Sequence, residues 1–65
     1  MSRKAYSSHD IIAILKDAGF MLDRIKGSHH IFLHPQSKKR AMVPHPKKDL
    51  PFGTARTILK QAGLE

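Results

Sequence analysis

The chain has 65 residues, with 12 Lys and Arg against five Asp and Glu, a formal net charge of +7 and no cysteine. At this length a single domain spanning 1–65 with a small core is expected, because folding hides only about 60% of the surface of so short a chain. No disulfide or thiolate metal site can reinforce it, and no apolar run approaches the ~18 residues of a membrane span.

The charge excess favours a polyanionic partner, either nucleic acid or an acidic protein. The opening MSRKAYSSHD is basic but lacks the apolar stretch of a secretory signal, so a cytoplasmic protein is expected.

In chain order, the first helix reads from Ser8 to Ala18. Ile11, Ile12, Ile14, Leu15 and Ala18 recur at helical spacing on one side, and His9, Asp10, Ala13, Lys16 and Asp17 occupy the other. Ser7 or Ser8 can cap its start, Asp10 suits the helix dipole, and Gly19 with Phe20 supplies a stop. A first strand fits Phe20 to Ile25, and Gly27-Ser28 is a two-residue hairpin signal. A second strand fits His29 to His34, ended by Pro35. PQSKK reads as a polar turn, Arg40 to Val43 as a third strand, and PHPKKDLPFG as a loop.

The last helix fits Ala55 to Ala62, with Thr54 as its cap and Gly63-Leu64 repeating the stop seen at Gly19-Phe20. The order is therefore α-β-β-β-α, an α+β fold with a three-stranded antiparallel sheet carrying both helices on one face and leaving the other to solvent.

The segment GSHHIF raises the chemical question. Side chains alternate along a strand, so His29, Ile31 and Leu33 share one face and His30, Phe32 and His34 the other. Neither set is cleanly apolar, and the pattern leaves open which face the helices cover. His30 and His34 lie ~13 Å apart along such a strand, too far to share one ion, so no metal site and no cofactor are expected. Histidine titrates near neutrality and can take and return a proton, which suits acid–base chemistry on a phosphodiester.

Basic residues gather at Arg24 and Lys26 by the hairpin, at Lys38, Lys39 and Arg40 in the turn, at Lys47 and Lys48 in the loop, and at Arg56 and Lys60 on the last helix. Aromatics are few, so backbone and shape recognition of RNA fits better than base stacking. The first residues of the last helix, FGTAR, read as an ordinary cap before they read as a phosphate site.

The run from a helix ending in AGF through KGSHHIF, an HP turn, VPHP and LPFGTARTILKQAGL resembles the HicA toxin (YcfA-like) family over nearly the whole chain. That resemblance implies a fold like that of double-stranded-RNA-binding domains. It implies metal-independent cleavage of mRNA in the cytoplasm, and a HicB-type antitoxin that covers the active site. It places the catalytic histidine at His29. Members with Asn after GS carry the histidine one place later, which lands on His30 as the alternate.

With it go Lys26, Gly27 and Ser28 as phosphate-binding residues, joined by Lys38, Lys39, Arg40, Lys47 and Lys48. His45 and His30 are the candidates for a second acid. Two other readings compete: a non-catalytic RNA-binding domain of the same fold, and a basic adaptor that docks an acidic protein.

Overall fold

The computed structural model describes residues 6–65; the first five residues of the basic opening segment lie outside the described residues. Five elements follow in the expected order: α1 (Ser8–Asp17), β1 (Met21–Lys26), β2 (His29–Leu33), β3 (Arg40–Pro44) and α2 (Phe52–Gln61).

α1 begins on a reciprocal cap. The Asp10 amide donates to Ser7 Oγ at 3.1 Å, and the Ser7 amide donates to Asp10 Oδ2 at 3.0 Å. Both helices end the same way. Gly19 at φ +99° and Gly63 at φ +74° turn the chain left-handed. The Phe20 amide then reaches Leu15 O and the Leu64 amide reaches Leu59 O, each at 2.9 Å, which satisfies carbonyls the helix leaves open.

α2 starts three residues earlier than the sequence pattern predicts. Pro51, not Thr54, is the cap, and it brings no side-chain hydrogen bond. The Ala55 amide bonds Pro51 O at 3.0 Å, so Phe52, Gly53 and Thr54 form the first turn. First-turn amides need no partner within the helix, so Gly53 does not delay its start.

The sheet is antiparallel in the order β1-β2-β3. Phe32 settles which side is covered, being 1% exposed and opposite buried Ala41. The inner face therefore carries Phe32 with His30, Ala41 and Val43. The outer face carries three rows: Lys26–His29–Pro44, Arg24–Ile31–Met42 and Met21–Leu33–Arg40. Pro44 extends β3 one residue beyond expectation, which an edge strand permits because one of its sides needs no ladder bonds.

Ile11, Leu15, Phe20, Leu50, Ile58 and Leu59 from the helices and loops close over Phe32 and Val43. Both helices pack against β3. β1 is left at the far edge with every residue exposed. A register shift at Asp23 turns both Leu22 and Ile25 to the helix side of the sheet, yet they stay 47% and 57% exposed.

The two segments that precede the helices also pair. Tyr6 bridges Leu50, with the Leu50 amide donating to Tyr6 O at 2.7 Å. Among the described residues no helix is long and apolar enough to cross a membrane.

Candidate nucleic-acid interface

The one-residue step from His29 to His30 crosses the sheet. His29 is exposed on the outer face, directly across the hairpin from Lys26. Gly27, at φ +60°, makes the tight turn between them. Ser28 O accepts the His45 amide at 2.8 Å, which ties the end of β3 to the start of β2.

A groove runs between the edge of β3 and α2, and His29 stands in it. Met42, Pro44 and Pro51 form an apolar wall. Thr54, Thr57 and Gln61 line the facing α2 wall, with Gly53 and the apolar Ile58 among them. The groove encloses about 710 Å³, which falls within the ~300–1,000 Å³ typical of ligand sites. His29 is the titratable side chain of the lining, and no carboxylate contributes. A second depression continues along β3 past Met42 and Gln61 to Arg40 and Ile31.

His30 and His45 lie elsewhere. His30 points to the inner face, its Nδ1 buried without a hydrogen-bond partner among the described residues. Its ring meets His45 edge-on at 4.7 Å between centroids, and His45 meets His9 the same way at 4.8 Å. Ser8, fully buried, holds the end of this row. It accepts the Lys47 amide at 2.9 Å, and its Oγ stands 2.6 Å from His45 Nδ1. The hydroxyl can give its proton to Nδ1 or accept one from it, according to the imidazole tautomer. Partial burial, then the charges that His30 and His9 can carry, hold His45 below the ordinary histidine value of 6.5.

His34 has a structural task. Its Nδ1 accepts the Gln36 and Ser37 amides at 3.2 Å each, and its ring stands on Phe20. The expected basic cluster divides. Arg40 is on the outer face. Lys38 occupies the turn at φ +65°. The Lys39 stem lies over Gly63 at the end of α2, where a methyl group would come within 3.1 Å of it. Lys47 spends its backbone on Ser8, and Lys48 is exposed in the same loop. Arg24 pairs with Asp23 at 3.2 Å, and Arg56 pairs with Glu65.

Residues 8–64 match the family described as HicA toxin of bacterial toxin-antitoxin. The chain belongs to the HicA toxin family. Among curated proteins, none matched.

Sequence reasoning about this HicA-family chain did not anticipate Ser8 as a buried link, because its partners His45 and Lys47 lie 37 and 39 residues away. Nor did it find the polar wall of Thr54, Thr57 and Gln61. Once α2 is known to start at Phe52, those positions fall three and four apart on one helix face, which was the available signal.

Proposed function

We propose that this HicA-family toxin is a metal-independent endoribonuclease acting on mRNA, with His29 as its proton-transfer group. The observation that carries this reading is the outer-face row Lys26–His29: a solvent-open imidazole beside a cation, at the end of a groove free of acidic side chains. In the reaction a ribose 2′-oxygen attacks the adjacent phosphorus while His29 takes its proton. The bond from phosphorus to the 5′-oxygen breaks, and water at the open mouth of the groove protonates the departing oxygen. Lys26 stabilises the charge that builds on the phosphoryl oxygens, and the Ser28 and Gly27 turn holds the two side chains in register. One positioned acid or base supplies roughly 10²–10⁴-fold, enough for a slow but damaging nuclease.

His30 and His45 face the other side of the sheet, so neither reaches the same phosphate as His29. Lys38, Arg40, Lys47 and Lys48 act as phosphate contacts away from the cut, and Lys39 divides its stem between that task and the end of α2. Neutralisation falls to a HicB-type antitoxin whose acidic surface meets the outer face, where complementary charge speeds association.

The test is incubation of the pure protein with single-stranded RNA in EDTA, beside His29→Ala and His30→Ala. Cleavage by the parent and His30→Ala but not by His29→Ala supports the reading. Equal cutting by all three overturns it. Binding without cutting by all three leaves a non-catalytic RNA-binding domain.

A further inference from the structure

Gly53 has no structural reason to be glycine. It lies in the first turn of α2 without a left-handed φ, and a Cβ built on it meets nothing within 4 Å. Gly19 and Gly63 differ from it, since both need positive φ and both are crowded by a side chain. Glycine in a helix is less favourable than alanine, and at Gly53 the missing side chain leaves the space beside it open. That space is the groove holding His29.

The lining narrows the occupant. The apolar wall of Met42, Pro44 and Pro51 offers a surface for a planar ring. On the facing wall Thr57 gives its proton to Gly53 O at 2.9 Å, so its hydroxyl is left as an acceptor. The Thr54 and Gln61 side chains have no hydrogen-bond partner among the described residues and offer both donors and acceptors. The groove contains no acidic side chain, and its continuation runs to Arg40, four residues or ~13 Å along β3 from Pro44. Uncharged hydrogen-bonding groups facing an apolar surface, with Arg40 in the continuation and Lys26 across His29 from the groove, match an unpaired nucleotide with a phosphate toward each cation.

We infer that the β3–α2 groove seats one unpaired nucleotide of the RNA beside the phosphate at His29. Its base lies on Met42, Pro44 and Pro51, its edge is read by Thr54, Thr57 and Gln61, and Gly53 leaves room for it. This rests on the ribonuclease reading and adds to it a base-selecting subsite, so that cleavage prefers particular nucleotides next to the cut.

The experiment uses the full chain, labelled with ¹⁵N and titrated with a short single-stranded RNA carrying 2′-O-methyl groups, which cannot be cut. In parallel, cut sites of the parent, Gly53→Leu and Gln61→Ala are mapped on a mixed-sequence RNA, and a poly-glutamate peptide is titrated separately. The expected result has three parts. RNA shifts the amides of Gly53, Thr54, Thr57 and Gln61. Gly53→Leu, at unchanged melting temperature, cuts ~10²-fold more slowly, the scale of a displaced substrate. Gln61→Ala moves the preferred cut sites.

RNA shifts confined to other faces, or groove shifts produced by poly-glutamate and not by RNA, overturn the inference. So does a Gly53→Leu protein that cuts at the parent's rate and sites. Should Gly53→Leu fail to fold, the parent's shift map and the Gln61→Ala cut pattern decide. A parent that shows groove shifts but cuts no RNA removes the nuclease reading and leaves the subsite standing. A parent that cuts with no groove response does the reverse.

Discussion

The Ser8 hydroxyl stands 2.6 Å from Nδ1 of His45 and receives the Lys47 amide at 2.9 Å. One buried oxygen thus joins the start of α1 to the loop that follows β3, and the Ser8 amide adds a bond to Lys47 O at 2.8 Å. Since the His45 amide is bonded to Ser28 O, the same loop holds the hairpin that presents His29.

Ser8→Ala removes both side-chain bonds and leaves the Lys47 amide and His45 Nδ1 without a partner. Both bonds are part-buried, so each contributes about 0.5–1.5 kcal/mol, and losing the two lowers unfolding free energy by about 1–3 kcal/mol. Urea denaturation of the two proteins measures it. A change within ±0.5 kcal/mol, typical of surface substitutions, would show that the link contributes nothing.

His45 makes stability depend on pH. Its folded value lies below 6.5, so the unfolded chain binds the proton more readily than the folded one. Its contribution is therefore complete above pH 6.5 and is lost as pH falls through the folded value. Melting temperature is expected to drop on acidification in that window. His45→Asn keeps a hydrogen-bonding group for Ser8 and cannot titrate, so its drop is smaller. Identical pH profiles for the two would place the acid sensitivity on other groups.

His29→Ala separates function from fold. The side chain is exposed and has no hydrogen-bond partner among the described residues, so stability stays within about 0.5 kcal/mol of the parent. RNA cleavage falls by roughly 10²–10⁴-fold, while RNA affinity, carried by the cations, changes little. Anisotropy, denaturation and a gel assay read the three quantities. The parent leaves the equivalent DNA uncut, because DNA lacks the 2′-oxygen; cleavage of that DNA would sink the mechanism.

Gly19→Ala contrasts with Gly53→Ala. At Gly19 the backbone is at φ +99° and a Cβ would stand 3.0 Å from His34 Nε2, so alanine there is strained twice and costs at least ~1 kcal/mol. At Gly53 alanine is neutral or stabilising by up to about 1 kcal/mol. Thermal denaturation shows a loss of stability for Gly19→Ala and none for Gly53→Ala.

Element order and the stop signals of both helices were legible because each depends on neighbours: Gly19 with Phe20, Gly63 with Leu64; the sequence left the cap of α1 open between Ser7 and Ser8, and the structure chooses Ser7. The start of α2 was not, since Gly53 and Pro51 look like loop residues although a first turn tolerates both. The covered face of β2 was not legible either. His29-His30-Ile31-Phe32-Leu33 puts apolar residues on both sides, and only the packing of Phe32 against Ala41 and Val43 distinguishes them. Lys26 and His29 face each other across the hairpin, a pairing that the two-residue turn Gly27-Ser28 already encodes. The row His9–His45–His30 and the wall at Thr54, Thr57 and Gln61 depend on contacts between distant segments, which local spacing does not encode.

β1 is anchored on one edge alone. Its ladder to β2 holds it, the helices pack mainly against β3 at the opposite edge, and Leu22 and Ile25 remain open to water. Segments with few buried apolar contacts open first, at a free energy below that of global unfolding. Lys26 rides on this strand and His29 on its neighbour, so when β1 frays the cation leaves the imidazole while Phe32, Val43 and both helices keep their places. The hydrogen-exchange rate of the β1 amides therefore reports how often Lys26 stands beside His29.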